Sequence, residues 1–291
     1  VCGTVNNENA KFCFECGNKF EEQKVCPKCG RAYEEGMKFC PQCGTSLING
    51  ADIKGEPSEL MADPVSITEW GSIEDGATVF CSTIDRYDIE IITFTDEMNA
   101  ISGDSWDVSS NHDRSVMACV KQRDDNLTEL IIAGRNGIKA NQNCSGLFAG
   151  YNNLQQINFK CSFDTSQVID MSHMFEDIHE YSGKLDLSCF NTSKVTSMRS
   201  MFRYCGSLKM VDVGGFDTSQ VMDMSHMFEY CNNLEELDVG KFDTAQVIDM
   251  NSMFNGCGSL KLLDIGSFDT SKVTDMSSMF DGCESLTLLD V

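Results

Sequence analysis

From Phe190 the chain reads "FNTSKVTSMRSMFRYCGSLKMVDVGG" (190–215). It then repeats itself as "FDTSQVMDMSHMFEYCNNLEELDVGK" (216–241), "FDTAQVIDMNSMFNGCGSLKLLDIGS" (242–267) and "FDTSKVTDMSSMFDGCESLTLLDV" (268–291). The period is 26 residues. Self-similarity at this length marks units that cannot bury their own apolar face and must stack on neighbours. Two weaker copies come earlier: "NCSGLFAGYNNLQQINF" from Asn143, and a 27-residue version from Phe163. The pattern therefore predicts a mostly β repeat solenoid of about six coils over 143–291, the last one incomplete.

Within one coil, "LKLLDIG" (260–266) reads as a strand, with Leu263 and Ile265 inward and Asp264 outward. "KVTDM" (272–276) reads as a second extended segment, followed by one capped helical turn, "MSSMF", that turns Met279 and Phe280 inward. Repeat-locked positions become columns. Met171, Met174, Met198, Met201, Met224, Met227, Met250, Met253, Met276 and Met279 read as core filling, because no His or Cys partner stands at ligand spacing. Cys205, Cys231, Cys257 and Cys283 share a slot filled by Tyr151 in the first coil, which points to buried free thiols. Asp186, Asp212, Asp238, Asp264 and Asp290 form an outward row in which like charges repel. Two readings fit that row: a face for a basic protein partner or divalent cations, or carboxylates that satisfy neighbouring backbone groups and bind nothing.

The first fifty residues follow a different logic. Cys26-Pro-Lys-Cys29-Gly and Cys40-Pro-Gln-Cys43-Gly are two CxxC knuckles separated by ten residues. Four thiolates at this spacing complete a tetrahedral zinc site, and the trailing glycines free the backbone around the sulfurs. A segment this short has little core, so metal would supply the folding energy. A disulfide knot is the alternative and fits the spacing less well. Cys2, Cys13 and Cys16 repeat the pattern without its first Cys, which reads as a second zinc ribbon truncated at its start. The organisation expected is a truncated ribbon over 1–20, a ribbon over 21–46, a linker over 47–65, a β-rich cap region over 66–142 and the repeats over 143–291. In the cap region Ile89–Phe94, Ser115–Lys121 and Glu129–Gly134 read as strands, with Trp106 as a core anchor and Cys81 and Cys119 as buried thiols.

Net charge is −23, yet residues 1–50 hold six basic and six acidic side chains, so the acidity lies beyond them. This disfavours nucleic acid or an anionic membrane as partner of the repeats. No run of about 18 apolar residues predicts a membrane helix. His112, His173, His179 and His226 offer no nucleophile–base constellation, so no catalytic residues are expected.

The motif "FDTSKVTDMSSMFDGCESLTLLDV" resembles the repeat of the BspA-like leucine-rich-repeat surface proteins, and the first fifty residues resemble bacterial zinc-ribbon modules. The resemblance implies a leucine-rich-repeat-like right-handed solenoid and, in some relatives, adhesion or binding of host proteins. The expected function is a non-enzymatic protein-binding scaffold with zinc as cofactor. A surface or secreted adhesin and a cation-binding acidic face are the alternatives. Free thiolates in the ribbons point to a reducing compartment, hence the cytoplasm, with the cell surface as the alternative. A chain that stops in mid-coil is expected to self-associate through its uncapped last coil.

Overall fold

The computed structural model describes residues 57–61, 79–80, 82–160 and 162–290, all within the unit Glu56–Val291. The ribbon segments 1–20 and 21–46, Cys81 and most of the stretch 47–65 lie outside the described residues.

Among the described residues twelve short strands are formed. The first seven are β1 (Ser58–Glu59), β2 (Ile91–Thr95), β3 (Ser105–Asp107), β4 (Val116–Gln122), β5 (Thr128–Gly134), β6 (Ile138–Lys139) and β7 (Gln156–Asn158). Then come β8 (Phe163–Asp164), β9 (Lys184–Leu185), β10 (Met210–Val211), β11 (Leu262–Asp264) and β12 (Leu288–Asp290). Five of them make one sheet in the order β3-β4-β5-β2-β7, antiparallel at β3–β4 and β4–β5 and parallel on both sides of β2. The sequence "IITFT" explains the centre: β-branched and aromatic residues, buried on both faces, suit a parallel interior strand. β2 starts later than expected because Asp85 caps a 3-10 turn over Arg86–Asp88 and the Ile89 amide closes it on the Arg86 carbonyl. β4 and β5 are joined through Asn126 at φ 66°, a left-handed position that Asn tolerates. Trp106, on β3, packs partly buried against the core, and Cys119 is a buried free thiol.

Ser58–Glu59 departs from the expected linker. It pairs in parallel with Ile138–Lys139, and Leu60 is buried, so an apolar side chain draws this end of the linker into the sheet.

The repeats require a correction. A leucine-rich-repeat-like right-handed solenoid, with a strand, a second extended segment and a helical turn in each coil, is not what the described residues form. Their sheets have only two to five strands, and their helices are two 3-10 turns, Arg86–Asp88 and Met98–Ala100. Beyond β8 there are only the two-stranded parallel pairs β9–β10 and β11–β12 and isolated bridges such as Asp223↔Asp249↔Asp275. The rest of each unit is turns.

Two physical causes stand out. Aspartates at would-be strand positions accept the amide two residues on, as Asp223 does from Ser225 and Asp238 from Gly240. Each such Asx turn competes with the strand for its N–H. Inside the expected helical turn, His173, Ser200, His226, Ser252 and Ser278 all lie at φ between 53° and 58°. Neither a helix nor a strand runs through a left-handed residue.

Successive units are nonetheless hydrogen-bonded in register. Met224, His226, Phe228 and Tyr230 donate their amides to the carbonyls of Asp249, Asn251, Met253 and Asn255, at 3.0, 2.8, 2.9 and 2.7 Å. Met198, Ser200, Phe202 and Tyr204 do the same to Asp223, Ser225, Met227 and Glu229. Beneath this ladder the rings of Phe148, Phe175, Phe202, Phe228, Phe254 and Phe280 stack with centroids 5.2–5.8 Å apart. The paired methionines from 171 to 253 are fully buried beside them, as the column reading expects, whereas Met276 in the last described unit is 47% exposed. Buried Thr192 and Thr218 bridge units from the side: their hydroxyls donate to the carbonyls of Asp217 and Asp243, both at 3.0 Å. No helix among the described residues is long and apolar enough to cross a membrane.

Candidate functional site

The residues expected to bind zinc, Cys2, Cys13, Cys16, Cys26, Cys29, Cys40 and Cys43, lie outside the described residues. Their chemistry can still be judged. Cys26, Cys29, Cys40 and Cys43 are four soft thiolate donors in two tight pairs, a set that fits zinc.

The outward aspartates are placed in detail. Asp186, Asp212, Asp238 and Asp264 each use Oδ1 to accept an amide two residues on, from Ser188 (3.0 Å), Gly214 (3.3 Å), Gly240 (3.1 Å) and Gly266 (3.0 Å). The hydrogen bonds from Ser188 hold the Asp186 carboxyl below the usual carboxylate range. Asp264 and Asp290 are register partners of β11 and β12. The carboxylates of Asp186, Asp212, Asp238 and Asp264 thus close their own turns and remain exposed. Lys184 reaches Asp212 Oδ2 at 3.5 Å. Two residues before Asp212, Asp264 and Asp290, and so on the same side of the strand, lie Met210, Leu262 and Leu288. These are 41%, 55% and 58% exposed, apolar side chains that the sequence reading did not single out, with Lys184 and Glu236 at the same position in the other units.

A second cluster was also missed. Glu176, Arg203 and Glu229 occupy one position in three successive units. Arg203 pairs with Glu229 Oε2 through Nε and with Glu176 Oε1 through a terminal nitrogen at 3.5 Å. His173 Nδ1 lies 2.7 Å from Glu176 Oε2, and His226 Nδ1 lies 3.0 Å from Glu229 Oε2. Both glutamates are buried. Burial pushes the Glu176 carboxyl above its usual range. At Glu229 burial acts the same way, but the His226 hydrogen bond and the Arg203 charge outweigh it and hold that carboxyl low. These groups pair with one another, which suits a structural lock, although the buried Glu176 Oε1 accepts no hydrogen bond. The signal available in the sequence was the Glu-Arg-Glu alternation down one column.

Beside this network stand Tyr204 and Tyr230, stacked at 5.1 Å with rings nearly parallel. The Arg203 guanidinium lies over the Tyr204 ring, 4.5 Å from its centroid. Both tyrosines sit at left-handed φ, 60° and 58°. A bulky residue there costs on the order of 1–3 kcal/mol. Other units fill the same slot with Gly150, Gly256 and Gly282 at φ 71–74° and with Asp177 at φ 64°.

The repeat cysteines are inert. Cys205, Cys231 and Cys257 donate their thiols to the carbonyls of Phe175, Phe202 and Phe228 at 3.0–3.2 Å, and burial drives the Cys231 and Cys257 thiols well up. All are free. Among the described residues no group of three His, Cys, Asp or Glu is arranged to hold a metal ion.

Comparison with known proteins places two families on the chain. The family described as "Mycoplasma protein of unknown function, DUF285" matches residues 138–210 and 205–288, together more than half of the chain. The double zinc ribbon family matches residues 1–44, and so supports zinc binding there. No curated protein and no solved structure matches.

Proposed function

We propose that this chain, which belongs to the DUF285 family and carries a double zinc ribbon, is a non-enzymatic interaction protein whose repeats bind a basic protein segment. The observation that carries this reading is the row Asp186, Asp212, Asp238 and Asp264: exposed, beside the apolar Met210, Leu262 and Leu288, on a chain of net charge −23. Stacked carboxylates at strand spacing repel one another, and a cationic side chain laid across them removes that repulsion. Exposed Leu and Met give the partner apolar area to cover. His173, Glu176, Arg203, Glu229 and His226 pair with one another, which suits a structural role for this cluster. In the ribbon, Cys26, Cys29, Cys40 and Cys43 would hold zinc, and the ion would supply the folding energy that so short a segment lacks, roughly 10–16 kcal/mol in comparable peptides.

The test is a titration of the whole chain with a fluorescent peptide of alternating lysine and leucine. The parent should bind, and D212N/D238N/D264N should weaken binding roughly tenfold, about 0.5 kcal/mol per exposed pair. Equal affinities for parent and variant would overturn the role of the row. The same preparation should contain at least one zinc per chain, and disulfides at the four cysteines in place of metal would overturn the zinc site.

A further inference from the structure

We propose that His179 is a proton-operated clasp between two units of the repeat: as an imidazolium it ties Asp177 of its own unit to the Tyr204 backbone of the next, and loss of its proton releases one of the two.

His179 lies between two acceptors. Its Nε2 is 2.8 Å from Asp177 Oδ1, and its Nδ1 is 2.8 Å from the Tyr204 carbonyl oxygen. An ionised carboxylate and a carbonyl can only accept. A neutral imidazole has one N–H and can serve only one of them, whereas the imidazolium has two and serves both. His173 and His226 differ. Each meets its glutamate through Nδ1, a bond that a neutral ring can also make.

The clasp extends the backbone ladder. The amides of His173, Phe175 and Asp177 donate to the carbonyls of Arg199, Met201 and Arg203 at 2.8, 2.9 and 2.9 Å. His179 is the next alternate residue, and its side chain supplies the rung that follows, to Tyr204. The Tyr204 amide in turn donates to the Glu229 carbonyl at 2.8 Å, so the clasped residue also holds the unit beyond. The same position carries Asn152, Gly206, Asn232, Gly258 and Glu284 in the other units. Only here does it carry a side chain whose ordinary titration falls near neutral pH.

Charge around the ring sets the direction of the switch. Asp177 and Glu180 face it from its own unit, while across the junction Arg203, beside Tyr204, is engaged by Glu176 and Glu229. The hydrogen bond to Asp177 raises the ring above the usual histidine range. Partial burial opposes this, and the Asp177 charge, the Tyr204 carbonyl and the Glu180 charge add to it. A histidine whose pKa is higher in the folded chain than in the unfolded one contributes its full stabilisation below the unfolded pKa. That contribution is lost as pH rises through the folded pKa. The clasp is therefore closed in mild acid and opens as pH rises past the ordinary histidine range.

NMR of the whole chain with isotopically labelled histidine tests this, the His179 signal being the one that His179→Gln removes. At a pH of about 6.5, the ordinary histidine midpoint, most His179 rings should carry protons on both nitrogens, and their own midpoint should lie higher. Asp177→Asn, which takes away the carboxylate and suits the left-handed backbone at that position, should shift the midpoint down towards the ordinary value. In thermal melts the parent should lose stability between about pH 6 and about pH 8, and His179→Gln, which does not titrate, should lose less over the same range. A His179 midpoint at or below the ordinary value, or one that Asp177→Asn leaves unmoved, would overturn the proposal. So would melting temperatures of parent and His179→Gln that fall in parallel across that range.

Discussion

The sheet over 91–158 and the repeats beyond it solve the same problem with opposite backbones. In β2, β4 and β5 runs of Ile, Val, Leu and Thr pair continuously, and the strands run five to seven residues. In the repeats β10 and β11 run only two and three. Yet the stacked Phe from 148 to 254 and the paired Met from 171 to 253 are as buried as the Ile and Leu of the sheet. Parallel stacking of units therefore does not require long strands. A ladder of turns supports it when side chains such as Asp223 and Thr218 take over part of the backbone's hydrogen bonding.

If the two interiors are equally close-packed, large-to-small changes should cost the same in both. Phe228→Ala removes a ring stacked between Phe202 and Phe254 and should cost about 3–5 kcal/mol, close to the loss for Ile132→Ala in β5. Chemical denaturation measures both. A loss under 1 kcal/mol at Phe228 alone would show that the repeat core is loose.

The side-chain share of the ladder comes next. Thr218→Val keeps the shape and removes the hydroxyl that reaches Asp243, so it should cost about 1–3 kcal/mol. No effect would mean that the backbone alone holds the units.

Glycine should act with opposite signs in the two regions. Ser252→Gly relieves a left-handed residue at φ 53° and should gain up to about 1 kcal/mol. Ala118→Gly lies mid-strand in β4 and should lose about 0.5–1 kcal/mol. Equal signs in thermal melts would break the contrast between turn ladder and sheet.

The contrast also explains what could be read in advance. The three strands of the sheet were legible because β-branched runs announce themselves, with ends shifted by one or two residues. The period, the buried Phe and Met columns and the free thiols were legible because they recur. The solenoid built from strands and helical turns was not borne out. Apolar alternation in "LKLLDIG" does not reveal that Asp264 folds back on Gly266, and nothing in "MSSMF" shows that Ser278 is left-handed. The partners of Arg203 were hidden by distance along the chain, Glu176 and Glu229 lying one unit away on either side. They emerge only when the units are aligned as columns.

Amide hydrogen exchange resolved residue by residue tests the central claim most directly. The amides of Met224, His226, Phe228 and Tyr230, which donate from one unit to the next, should exchange as slowly as those of β4 and β5. Protection confined to the five-stranded sheet, with these four amides exchanging at loop rates, would contradict the ladder of turns.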